Sequence, residues 1–301
     1  MKALCVGHAT YDITLPTNEF PVENKKMRIK KQVACGGGPA CNASYLLAKW
    51  GIDTTFAGIV GDDYYGNNII SELEKVGVNT KYVEKNKDIQ TDSSYIIANL
   101  SNGSRTIITA KEQTIAKLSK NIDLKADILL VDGEHYLSAK EAIDNNPNAI
   151  SILDAGRVND EVCTLGKMVT YLICSKDFAE EFTNTKIDIS NFETLVTAYE
   201  TLKINFKTNI IITLDKDGSF TKIDDYEIIP SLREEVLDST GAGDIFHGAF
   251  AYFISNGYSL KKTIELSSIT SAISVTRMGG RYSIPELSEV LEKEQNCDII
   301  I

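Results

Sequence analysis

D-S-T-G-A-G-D-I-F-H-G-A-F, residues 238–250, joins a glycine-rich turn to an apolar run at helical spacing. Gly241, Ala242 and Gly243 carry little or no side chain, so the N–H groups of the first helical turn can approach an anion closely. The helix dipole adds to that attraction. Asp244 stands in the same turn, a carboxylate placed to take a proton from a hydroxyl that attacks phosphorus. A structural turn with an Asp capping the helix accounts for the same residues, and the stretch alone leaves both readings open.

Upstream, G-G-G-P-A-C-N-A-S at 36–44 has the same design. Gly37 and Gly38 permit close backbone approach to a ligand, and Asn42 offers a donor and an acceptor to sugar-like hydroxyls. A plain strand-to-helix turn with Pro39 at the first helical position fits these residues too. The elements around the two loops alternate. Short apolar runs (2–6, ADILLVDG near 126–133, AISILDAG near 149–156, MVTYLIC at 168–174, NIIITL at 209–214) alternate with helix-like stretches at 39–49, 68–76, 138–145, 190–202, 241–255 and 260–277. Nearly all-apolar strands alternating with helices predict an α/β chain with a mostly parallel sheet covered on both faces. Two regions break the rhythm. Residues 12–34 hold extended stretches without a helix, and at 91–110 two extended runs flank the turn-forming S-N-G; together these predict a small side sheet.

The 301 residues show no repeat, low-complexity tract or linker that would divide them, and are read as one domain, 1–301. The net charge of −11 repels phosphate backbones and anionic membranes, so neither nucleic acid nor a membrane surface is an expected partner. Six cysteines (Cys5, Cys35, Cys41, Cys163, Cys174, Cys297) lie outside any C-x-x-C or His-linked metal spacing and read as buried, reduced thiols. The first apolar run is too short for a signal or membrane segment, and a cytoplasmic location is expected. A G-x-x-x-x-G-K-[ST] loop is absent, as is G-x-G-x-x-G after the first strand, which disfavours P-loop enzymes and dinucleotide-dependent dehydrogenases.

Taken together, the two loops resemble the paired signatures of the PfkB family of carbohydrate kinases, which have the ribokinase-like fold. The first signature is matched by Gly37, Gly38, Asn42, Ser44, Gly51 and Gly61, the second by residues 238–250, and the likeness runs from the first strand to G-G-R-Y-S-I-P at 279–285. The resemblance implies an ATP-dependent kinase acting on a hydroxymethyl group of a small sugar or sugar derivative, with Mg2+ accompanying ATP. Asp244 matches the family's base, and the backbone of Gly241, Ala242 and Gly243 its anion hole. Asp12, Gly38, Asn42 and Glu134 match substrate contacts, although Glu134 also reads as a solvated loop carboxylate. Thr213 and Gly218 match the loop beside the nucleotide, and Asp215 stands where the family often has Gly. Asp238, Thr240, Gly279 and Ser283 occupy positions comparable to a K+ site of some relatives, and ordinary turn chemistry explains them as well.

One departure concerns the family's Asn-x-x-Glu motif, linked to magnesium and phosphate: here Ser175 and Phe178 take those places, so metal support would come through water, Asp177, Glu181 or another group. The side sheet resembles the family's lid, which closes over the sugar and often forms a homodimer interface, and Arg105 on it reads either as an anion contact or as an exposed strand residue. His247 reads as structural. Two alternatives are a nucleoside kinase of the same fold, for which Tyr11, Phe20 and Tyr95 supply aromatic rings, and a non-catalytic sugar or nucleotide sensor, against which the intact glycines and Asp244 argue.

Overall fold

The computed structural model describes residues 1–112 and 114–296. Strands β1 (Lys2–Val6), β2 (Thr10–Thr17) and β3 (Val33–Gly37) lead into helix α1 (Pro39–Lys49), followed by β4 (Asp53–Gly61), α2 (Tyr64–Lys75), β5 (Asn79–Asn86), β6 (Ser93–Asn99) and β7 (Arg105–Ala110). Then come β8 (Ile128–Val131), α3 (Tyr136–Asn145), β9 (Ile150–Ala155), α4 (Asp160–Gly166), β10 (Tyr171–Ser175), α5 (Lys176–Thr183) and α6 (Phe192–Phe206). The chain ends its described part with β11 (Asn209–Thr213), β12 (Ser219–Lys222), β13 (Tyr226–Ile229), α7 (Ala242–Ser255), α8 (Leu260–Ser274) and α9 (Leu287–Asn296). No helix among the described residues is long and apolar enough to cross a membrane.

Nine strands form the main sheet in the order β13-β12-β11-β10-β9-β8-β1-β4-β5, parallel except for the β11-β12-β13 meander. Its central strands are apolar because both faces are covered. In β8, Leu129 and Val131 pack into the core on one face, while Ile128 and Leu130 enter the core on the other, the period-2 alternation of a strand. Strand order reverses at β1, which has β4 on one side and β8 on the other. A crevice at the carboxyl ends of such strands is where open α/β sheets bind ligands.

The irregular regions form a second sheet, β3-β2-β6-β7, in which two antiparallel pairs join through parallel β2 and β6. The first pair begins at Thr10 and ends at Gly37, wider than the expected 12–34. Helix α1 has the expected bounds, with Pro39 at its start. Helix α2 starts at Tyr64 rather than 68, because Asp63 caps it by accepting a hydrogen bond from Gly66 N (2.8 Å). Helix α8 stops at Ser274 rather than 277. Strand β5 and helices α4, α5 and α9 were not anticipated.

Among the cysteines, Cys5, Cys35, Cys41 and Cys174 are buried free thiols, whereas Cys163 is only half-buried. The helix that carries it, α4, lies on the surface of the sheet and turns its inward face through Val162 and Leu165 instead. Cys297 lies outside the described residues.

Candidate active site

Helix α7 begins at Gly241, whose φ of 74° is left-handed and brings its backbone against Gly280. The turn ahead of it is held by Asp238, whose two carboxylate oxygens accept from Thr240 N and Gly279 N, each at 2.9 Å. Ser283 closes the neighbouring turn through its N–H to Gly279 O (2.9 Å) and its hydroxyl to Gly280 O (2.7 Å). Asp238, Thr240, Gly279 and Ser283 are thus one assembly packed under the start of α7. Within it Thr240 Oγ1 is buried without a hydrogen-bond partner, an oxygen left available to a hard cation.

Asp244 projects from the first turn of α7, and its Oδ2 accepts from Asn42 Nδ2 at 2.8 Å. The two glycine-rich loops therefore converge on one hydrogen bond. Asp12, buried in β2, packs so tightly on the first loop that a Cβ on Gly37 would lie 2.0 Å from its Oδ2. Burial, and then the like charge of Asp244, push Asp12 up to about 7, against the opposing influence of Arg281 and His8. Asp12, Asn42 and Asp244 thus share one electrostatic site.

Glu134 belongs to an adjoining cluster at the β1/β8 reversal. Its carboxylate accepts from Lys111 Nζ (2.6 Å), and a small cavity there is lined also by His8, Asp92 and His135. Burial pushes Glu134 up, but Lys111 and the two histidines more than offset it, so the carboxyl stays below its usual range. Glu134 is therefore an ion-paired group and not the solvated loop carboxylate that the sequence also allowed. His8 Nε2 meets Asp92 Oδ2 at 2.8 Å; burial opposes the charged ring, and Asp92 with the other nearby acids holds His8 above its ordinary value. Beneath the cluster, Asp132 accepts from the N–H groups of His8 (2.9 Å) and Ala40 (3.1 Å), tying β1 to the start of α1.

Thr213 ends β11 and donates to Cys174 O (3.3 Å), and Gly218 turns the chain into β12. Among the described residues no hydrogen bond joins these two to the α7 turn; they stand at the same end of the sheet, further toward its edge. Between them Asp215 adopts φ 52°, the left-handed conformation that explains why Gly suits this position. Ser175 caps α5 by accepting from Phe178 N (3.1 Å), and Phe178 is buried against Phe182 and Phe206. Neither is disposed as a metal ligand, and the described residues contain no group of three acidic, His or Cys side chains that would hold a metal.

Two side chains make contacts that the sequence alone does not show. Arg105 on the lid strand β7 donates to Ser239 Oγ, so the small sheet touches the α7 turn directly. His247 sits between Gly243 O (2.7 Å), Asp154 Oδ2 (3.2 Å) and Ile173 O (3.3 Å), anchoring α7 to the ends of β9 and β10 in the structural role expected of it.

A model of the pfkB family of carbohydrate kinases matches residues 1–287. The deoxyribokinase of Salmonella typhi is 25% identical over 97% of this chain and 98% of its own length, and the ribokinase of Bacillus subtilis 25% identical over 97% and 99%. Among solved structures, the ribokinase of Thermotoga maritima superposes with a TM-score of 0.80 at 26% identity, covering 98% of this chain and 99% of its own. Agreement of that extent, reaching both loops and the small sheet, assigns the ribokinase-like fold, and the chain belongs to the pfkB family of carbohydrate kinases.

Proposed function

We propose that the protein transfers the γ-phosphoryl group of Mg–ATP to a hydroxymethyl group of a small sugar or sugar derivative. The observation that carries this reading is the 2.8 Å contact between Asn42 and Asp244, which sets the sugar-facing loop against the phosphate-facing turn. In the proposed reaction the acceptor hydroxyl oxygen attacks the γ-phosphorus and its proton passes to Asp244. The bond to the β–γ bridging oxygen breaks, and ADP leaves with its electron pair. The first-turn N–H groups over 241–243 face the charge on the transferring group. Asp12, Gly38, Asn42 and Glu134 hold the sugar, and the loop with Thr213 and Gly218 borders the nucleotide. Magnesium would accompany ATP as part of the substrate and neutralise charge on its phosphates.

The Asp238, Thr240, Gly279 and Ser283 assembly is the place a potassium ion would occupy, its support being the unpartnered Thr240 hydroxyl. Lid closure over the sugar excludes water as a competing acceptor. The exposed Tyr95, Ile107 and Ile108 on the lid support pairing of two copies through that sheet. Of the rings a nucleoside base could use, Tyr11 already stacks on Tyr65 with centroids 4.7 Å apart, while Phe20 and Tyr95 are exposed.

The test is ADP release from Mg–ATP across hexoses, pentoses, sugar acids, sugar phosphates and nucleosides, with and without potassium. One class of sugar acceptor is expected to dominate, with potassium raising its rate. Preference for nucleosides overturns the acceptor class; ATP binding without turnover of any member favours a sensor.

A further inference from the structure

Arg281 has a fully buried side chain. A guanidinium in such a place needs hydrogen-bond partners, and each of its three nitrogens has one. Nη1 donates to Glu72 Oε2 (2.9 Å), Nη2 to Cys41 Sγ (2.9 Å) and Nε to Asn42 Oδ1 (3.3 Å), while the Tyr45 ring lies 5.4 Å from its central carbon. Glu72 is itself fixed, accepting from Gly36 N (2.9 Å) and from the Tyr282 hydroxyl (3.2 Å).

The chemistry of these groups decides which way the Asn42 carboxamide points. An arginine N–H can only donate, and an ionised carboxylate can only accept. Asn42 must therefore turn its carbonyl to Arg281, which leaves its NH2 for Asp244 Oδ2, at 2.8 Å. A reversed amide would set a carbonyl oxygen against the carboxylate and an NH2 against the guanidinium. One oxygen of Asp244 is thereby occupied, and the other remains for a substrate proton.

We propose that Arg281 is a positioning residue, locking the Asn42 carboxamide through its Nε–H and so holding Asp244 in the orientation needed for proton transfer. The proposal rests on the reading of Asp244 as the base. The Arg281 side chain is fully buried, and its hold on Asp244 passes through Asn42.

Two measurements test it. The first is independent of turnover: in 15N-labelled protein, the Asn42 side-chain NH2 resonances, identified by their loss in Asn42→Ala, are expected to be distinct and slow to exchange with solvent. In Arg281→Lys, which keeps a cation beside Glu72 but lacks the Nε–H, they are expected to broaden or exchange faster. Unchanged resonances overturn the proposal. The second is a kinetic cycle on the best acceptor of the sugar panel. Arg281→Lys is expected to lower kcat about tenfold to a hundredfold with little change in the KM for ATP, the scale of one lost hydrogen bond to a charged group. In the Asn42→Ala background the same change is expected to add almost nothing. Losses that multiply indicate a merely structural arginine and overturn the proposal. Where Arg281→Lys fails to fold, Glu72→Gln with Arg281→Met removes both buried charges together, and the same outcomes apply. Near-normal turnover by Asp244→Asn sinks the base assignment instead, while leaving the resonance result to judge the Arg281–Asn42 lock by itself.

Discussion

Asn42 in the first helix and Asp244 in the seventh are 202 positions apart in the chain, and their side chains meet at 2.8 Å. Helices α1 and α7 pack along much of their length, so this contact sits on two rigid elements and not on mobile loops. Its two residues come one from each glycine-rich signature, which makes the contact the point where the proposed acceptor and donor meet.

If Asp244 removes the acceptor proton, Asp244→Asn should fold normally and lose turnover by roughly 10²–10⁴-fold, the usual contribution of a general base. Thermal melting checks the fold and ADP release checks the rate. A folded variant with near-parental kcat would take the role away from this residue.

Asp12 makes stability at its own site depend on pH. Its folded-state midpoint of about 7 lies well above the ordinary carboxylate value, so the folded protein keeps a proton that the unfolded chain gives up. Stability from this site is present at low pH and is lost as pH rises from about 4 to about 7. Asp12→Asn cannot ionise, so its melting temperature should rise relative to the parent between about pH 4 and pH 8. A gap that stays constant across that range contradicts the shifted carboxyl.

Gly38 and Gly51 both have positive φ, 96° and 87°, but differ in the space around them. A Cβ at Gly38 would lie 2.3 Å from His8 O, whereas nothing lies within 4 Å at Gly51. Gly51→Ala should cost on the order of 1 kcal/mol for the conformation alone. Gly38→Ala adds a backbone clash and should cost roughly 1–3 kcal/mol more. Denaturant unfolding of the two variants side by side measures the difference, and equal losses would show that the loop yields freely.

Ser175 accepts from Phe178 N at the start of α5, so Ser175→Ala should destabilise the protein by about 1 kcal/mol. Since the proposed reaction gives this hydroxyl no metal to hold, kcat and its dependence on magnesium concentration should stay at parental values. A marked rise in the magnesium requirement would return Ser175 to the metal's surroundings.

What the sequence made legible follows from how each signal is written in it. Buried parallel strands such as Ile128–Val131 stand out as unbroken apolar runs, and α1 announces itself with Pro39. Strand β5 was hidden because NTKYVEKN lies at the sheet edge, where only Tyr82 and Val83 are buried and polar and charged residues fill the rest. Helix α5 was hidden because its cap, Ser175, is also the last residue of the preceding strand. Asn42 and Asp244 were visible through their glycine-rich surroundings. Arg281 was not, because a single arginine in a short turn has no periodic pattern, and its partners Glu72, Asn42 and Cys41 lie 209, 239 and 240 positions away.

The separation of Arg281 from its partners, 209 positions from Glu72 and 239 from Asn42, also bears on how the protein is made. A domain folds as a unit, and Glu72 and Asn42 leave the ribosome long before the arginine that neutralises one and orients the other. The hydrogen-bonded set behind Asp244 therefore cannot be complete until residue 281 has been made, however early the two glycine-rich loops emerge.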